Sequence, residues 1–137
     1  MVTDDGGWIV IQRNKKNSLV NFNENWANYE KGFGDFKTEF WYGLESIHCL
    51  TQRGQWEMRV DYQFNSKNWS YLHYNQFSVG SASEEYPLTV GRFTGKDINM
   101  FMISKSYRTH NGMKFTTPDN DNDKAGGNYA ASYKSGW

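Results

Sequence analysis

The spacing of hydrophobic positions changes several times along this 137-residue sequence, and each spacing predicts an element. After Gly6-Gly7, the run Trp8-Ile9-Val10-Ile11-Gln12-Arg13 is short, apolar and closed by polar residues, which predicts a buried strand and a turn. Phe22, Trp26, Tyr29 and Phe33 then recur at helical spacing, with Asn21 and Glu24 as a capping pair and Gly32 and Gly34 as stops. An amphipathic helix is therefore expected over residues 22–31, its aromatic stripe facing the core. Glu39 to Leu44 reads as a strand, and Leu44, Ile47, His48 and Leu50 share the face of a second short helix that ends at Gly54. From Gln55 to Phe64 apolar and polar residues alternate without a break, and Trp69 to Val79 mixes aromatics and polars at the same period, so the two predict an antiparallel hairpin. Tyr86 to Phe93 is a further strand with Pro87 at its head, and Asn99 to Ile103 is a short one. Turn residues dominate the rest, which reads as ordered loop.

Composition narrows the class. A sequence of this length fits one domain, and 6 Trp, 9 Tyr and 9 Phe supply core area despite a low mean hydropathy. Lys and Arg together number 15 and so do Asp and Glu, so binding to nucleic acid or to an anionic membrane surface by bulk charge is disfavoured. The Lys15-Lys16 doublet reads as a solvated turn. No apolar stretch reaches the roughly 18 residues of a membrane helix, and Met1-Val2-Thr3-Asp4-Asp5 is no export leader. With Cys49 alone, neither an intrachain disulfide nor a thiolate metal cluster can form. Cys49 is expected to be a buried thiol on the second helix.

Catalytic chemistry finds little support. His48, His73 and His110 have no nucleophile-elbow serine to serve, and His48 and Cys49, adjacent on a helix, point apart. The pairs Glu84-Glu85 and Asp4-Asp5 lie in turn-like sequence without apolar surroundings to raise a pKa. The segment Asp119-Asn120-Asp121-Asn122-Asp123, followed by Gly126-Gly127-Asn128, differs from these. Carboxylates at every second position of a tight turn project hard oxygens toward one point, which suits calcium, although a plain acidic surface turn has the same composition. Lys124 and Ala130 stand where an EF-hand needs glycine and glutamate, so that motif is excluded.

Gly6-Gly7-Trp8-Ile9-Val10-Ile11-Gln12-Arg13, Phe22…Trp26…Tyr29…Gly32-Phe33-Gly34, Glu39-Phe40-Trp41-Tyr42-Gly43-Leu44, Met58-Arg59-Val60-Asp61 and His110-Asn111-Gly112-Met113-Lys114-Phe115-Thr116-Thr117 together resemble the fibrinogen-related domain. This is the globular C-terminal module of fibrinogens, ficolins, tenascins and angiopoietins. The resemblance implies a calcium ion held by the carboxylates of Asp121 and Asp123 and the backbone carbonyls of Ala125 and Gly127, with Asp119 holding the turn. Tyr129 stands where the family places the first cysteine of a disulfide. The family's pocket for acetylated sugars or peptide knobs is built mostly from residues beyond Trp137, so no ligand-binding residue is carried over.

The expected fold is α+β: a twisted, mainly antiparallel sheet with two short helices over residues 1–94, then a loop-rich calcium segment over 95–137, all in one incomplete fibrinogen-like domain. The expected function is a non-enzymatic, calcium-binding recognition module of extracellular, secreted type. Its partner would be an acetylated carbohydrate or a protein ligand, weakly bound, with no nucleic acid and no membrane. The competing class is a structural or engineered scaffold fragment without ligand binding.

Overall fold

The computed structural model describes residues 2–3, 6–64, 68–95, 99, 101 and 109–136. Its elements in sequence order are β1 (Val2–Thr3), β2 (Gly6–Gly7), β3 (Gln12–Arg13), α1 (Trp26–Lys31), β4 (Phe33–Gly34), β5 (Phe40–Trp41), α2 (Leu44–Thr51), β6 (Met58–Phe64), β7 (Asn68–Tyr74), β8 (Phe77–Val79), a 3₁₀ turn (Ala82–Glu84), β9 (Leu88–Val90) and α3 (Tyr129–Tyr133). Every ladder among these is antiparallel: β1 with β2, the order β3-β5-β4, β6 with β7, and β8 with β9. The α+β class is as expected, with a third helix added where loop alone was predicted.

The faultless alternation from Met58 makes β6 and β7 the longest ladder, in register from Met58 opposite Tyr74 to Phe64 opposite Asn68. Met58, Val60 and Tyr62 pack on the core side. The predicted partner strand does not run on to Val79, because the backbone turns after Tyr74 and β8 pairs with β9 instead. Glu85 and Tyr86 both adopt left-handed backbone, at φ 63° and 53°, so that strand begins at Leu88 and not at Tyr86. Of the run from Trp8, only Gln12–Arg13 enters a ladder, and Ile9 is half exposed. The short strand expected at Asn99 to Ile103 lies largely outside the described residues.

The first helix starts later than the Asn21–Glu24 pair predicts. Asn25 is its N-cap, in extended conformation, with its side chain accepting from the Asn28 N–H at 2.9 Å. Asn21 instead closes a local turn on the Asn23 N–H. Helices α1 and α2 approach through glycine: a Cβ on Gly43, at φ 99°, would lie 2.7 Å from the Lys31 carbonyl. Helix α2 is tied to β8 at the Val79 peptide, where the Thr51 hydroxyl accepts from the N–H at 3.2 Å and His48 Nδ1 donates to the carbonyl at 2.9 Å. Leu44, Ile47 and Thr51 are the buried face of α2, and Cys49 is exposed. The expectation of a buried thiol is thus corrected. At about 100° per residue Cys49 lies some 140° around the helix from Leu44, on the solvent side.

The core is aromatic. Tyr29, Trp41 and Phe115 form a triangle with ring centroids 5.1 to 6.0 Å apart, extended by Phe33 and Trp26. The Trp41 indole N–H donates to the Tyr29 carbonyl at 2.8 Å, so the ring nitrogen is satisfied inside the cluster. Phe115 carries the C-terminal segment into this core, followed by the buried Thr116 and Thr117. The Tyr29 hydroxyl completes the tie, donating to the Phe22 carbonyl at 2.7 Å and accepting from the Gly136 N–H at 2.8 Å. The segment from Phe115 to Gly136 is therefore fastened to the core at both of its ends.

Candidate functional site

The aspartate segment begins where Phe115, Thr116 and Thr117 leave the core, and its polar side chains hold it in shape. The Asn122 side-chain amide donates to the Phe115 carbonyl at 2.8 Å, and its backbone N–H donates to the Thr116 hydroxyl at 3.1 Å, which folds the loop back on its root. Asp119 Oδ1 accepts from the Thr117 hydroxyl at 2.8 Å and from the Trp26 N–H at 2.9 Å, at the first residue of α1. Partial burial pushes the Asp119 carboxyl up, but those hydrogen bonds outweigh it and hold its pKa below the ordinary value. The structure thus gives Asp119 the turn-holding position that the resemblance implied.

Asp121 is exposed, and its Oδ1 accepts from the Asp123 N–H at 3.3 Å. Asp123 is half-buried: Oδ1 accepts from the Ala125 N–H at 2.7 Å and Oδ2 from the Tyr129 N–H at 2.9 Å. That second bond closes the loop at Tyr129, the residue where the resemblance implied a cysteine. Asn128 reinforces the closure, since its side-chain oxygen caps α3 at the Ala131 N–H and its amide donates to the Thr117 and Pro118 carbonyls. Ala125 and Gly127 lie on the arc between, and their carbonyls accept no backbone hydrogen bond among the described residues. Among the same residues no three His, Cys, Asp or Glu side chains form a group able to hold a metal ion.

Sequence reasoning missed Asn122, Asn128 and Trp26. Asn128 was legible in principle, because an asparagine before Tyr129-Ala130-Ala131 is an N-cap pattern. Trp26 contributes a backbone N–H from 93 positions away, which no local pattern encodes.

Comparison with known proteins agrees with this architecture. The profile of the C-terminal globular domain of fibrinogen beta and gamma chains matches residues 1–137, and the protein belongs to this family. Tenascin-R of Gallus gallus is 42% identical over 137 residues, covering 100% of this sequence and 10% of that protein. Fibrinogen-like protein A of Apostichopus parvimensis is 42% identical over 123 residues, covering 90% of this sequence and 41% of that protein. Among solved structures, the fibrinogen-like globe domain of human ANGPTL2 superposes with a TM-score of 0.90 at 39% identity, covering 98% of this sequence and 59% of that one. Lamprey fibrin D-dimer complexed with the peptide ligand Gly-His-Arg-Pro-amide gives a TM-score of 0.88 at 35% identity, covering 99% of this sequence and 46% of that one. The 137 residues thus span less than two thirds of the length of these relatives. Domains of this family are non-enzymatic recognition modules of extracellular proteins. No helix among the described residues is long and apolar enough to cross a membrane.

Proposed function

We propose that the protein acts as a secreted recognition module that binds one calcium ion at the aspartate loop and takes an acetylated carbohydrate or a protein ligand weakly. The observation that carries the reading is the loop itself. Asp121 and Asp123 offer carboxylate oxygens on one turn, the Ala125 and Gly127 carbonyls have no backbone partner among the described residues, and the loop is closed beforehand by the Asp123 bond to the Tyr129 N–H. This donor set is all oxygen, as a hard divalent cation requires, and two carboxylates with two carbonyls leave several positions to water. A preformed loop lowers the entropy of closing around the ion, which is the work a disulfide at Tyr129 would otherwise do. Protein recognition is supported by a relative, since lamprey fibrin D-dimer is complexed with a short peptide.

Open extracellular calcium modules bind at about 10⁻⁴ to 10⁻³ M, so roughly 2 mM calcium stabilises the fold by about 0.6–2 kcal/mol through mass action. The test is a melting curve in calcium and in chelator, on the parent and on Asp121→Ala. The parent midpoint is expected to rise modestly with calcium and the variant midpoint to stay put. An unchanged parent midpoint would sink the calcium site, and a shift that survives the substitution would move the ion elsewhere.

A further inference from the structure

The β6–β7 hairpin is anchored at its root. There Leu72 and Tyr74 are fully buried, and the outer edge of β7 is covered, because the Asn75 N–H donates to the Arg92 carbonyl at 3.1 Å and the Thr94 N–H to the His73 carbonyl at 2.8 Å. Toward the other end of the ladder exposure rises. Trp69 is 71% exposed, and Asn68, which opens β7 opposite Phe64, is exposed as well. Backbone groups alternate in direction along a strand, so with the His73 carbonyl on the outer edge the Trp69 N–H and C=O face that edge too, where they have no partner among the described residues. An exposed aromatic side chain on an open strand edge invites pairing with another chain, and native proteins normally block such an edge.

Asn68-Trp69-Ser70 lies at this open end and is the acceptor pattern for N-glycosylation, Asn-x-Ser with x other than proline. It occurs once in the 137 residues, so one substitution removes it. The pattern alone is common, and its place in the fold is what gives it weight. A glycan is tolerated only where the native structure leaves room for it. The Asn68 side chain makes no hydrogen bond among the described residues and sits at the exposed end of the longest ladder, so a glycan there displaces no contact. Asn25, Asn122 and Asn128, by contrast, spend their side chains on helix caps and on the root of the aspartate loop.

We infer that Asn68 carries an N-linked glycan that covers the open end of the β6–β7 hairpin. In the transfer, Asn68 Nδ2 attacks the anomeric carbon of an oligosaccharide carried on a lipid pyrophosphate. The bond from that carbon to the phosphate oxygen breaks, the Nδ2–carbon bond forms, one Nδ2 proton passes to a base of the transferase, and the lipid pyrophosphate leaves. The inference rests on the reading of the protein as secreted, since that transferase acts in the secretory pathway. The experiment is expression of all 137 residues behind a cleavable leader in animal cells, with lysate and medium analysed by gel mobility and mass spectrometry before and after peptide N-glycosidase. The parent and Ser70→Thr should carry one enzyme-sensitive glycan that leaves aspartate at position 68 on removal, and Asn68→Gln and Ser70→Ala should run unmodified. An unmodified parent in both fractions, or a glycan that survives Asn68→Gln, would overturn the inference. Because the leader supplies entry, an unmodified parent counts against Asn68 and leaves the secreted reading standing. The covering role is read by light scattering at rising protein concentration. Asn68→Gln should self-associate at lower concentration than the glycosylated parent, and adding Trp69→Lys should reverse this; equal association with and without the glycan would overturn that role.

Discussion

Cys49 and Leu44 sit on the same helix five residues apart and meet opposite environments, which makes them a direct test of how α2 is seated. Cys49 is expected to react to completion with a thiol reagent in native buffer, and labelling only after denaturation would place α2 in another rotation. Cys49→Ser should change stability by less than about 0.5 kcal/mol, as surface substitutions do. Leu44→Ala removes a fully buried side chain against the sheet and should cost about 2–5 kcal/mol in a denaturant melt. Tyr29 is a different kind of residue, because its ring belongs to the core triangle while its hydroxyl joins the Phe22 carbonyl to the Gly136 N–H. Tyr29→Phe keeps the ring and strands both partners, so a loss of about 1–3 kcal/mol is expected. Proteolysis should then reach the C-terminal segment first, since that hydroxyl is one of its fastenings.

Among the elements, the junction of α1 with α2 leaves no room for a side chain at Gly43. Gly43 combines a left-handed φ with a Cβ position closed off by the backbone of Glu30 and Lys31, so Gly43→Ala carries both strain and a clash that no side-chain movement relieves. It should lower stability by more than about 2 kcal/mol in a thermal melt, and a near-neutral result would mean that the two helices do not cross as described. The same junction marks the limit of what the sequence makes legible. The alternation in β6 and the buried face of α2 can be read locally, because a single element decides them. The start of α1 cannot, because Asn21 and Asn25 both suit a cap, and the choice falls to Asp119 on the Trp26 N–H, a contact between distant segments. The positions of Asp121 and Asp123 in the loop follow from their spacing, but its root does not, since Asn122 and Asn128 act through carbonyls that only folding brings near. For Cys49, residue type alone points to the core, and helical phase puts it outside.

At the scale of the whole molecule, the half-buried His110 and the buried Tyr86 narrow the pH range of full stability from opposite sides, and Tyr29, whose pKa burial also raises, adds to the alkaline side. His110 stacks edge-on against Phe101 at 5.5 Å, and burial pushes its pKa below the ordinary 6.5. The unfolded state therefore takes up that proton first, so the contribution of His110 is complete above about 6.5 and is lost as pH falls below it. Tyr86 is the mirror case. Burial, reinforced by its hydrogen bond to Glu30 at 3.1 Å, raises its pKa from 10.0 to about 12. The folded state keeps that proton while the unfolded state ionises, so the contribution of Tyr86 is complete below 10.0 and is lost as pH rises toward about 12. Melting midpoints measured from acid to alkali in chelator, which removes any calcium linkage, should form a plateau with a fall on each side. Tyr86→Phe should lower the plateau, because Glu30 loses its donor, and should flatten the alkaline fall while leaving the acid side unchanged. His110→Gln should flatten the acid side alone. An alkaline fall of undiminished steepness in Tyr86→Phe would assign that transition to another group.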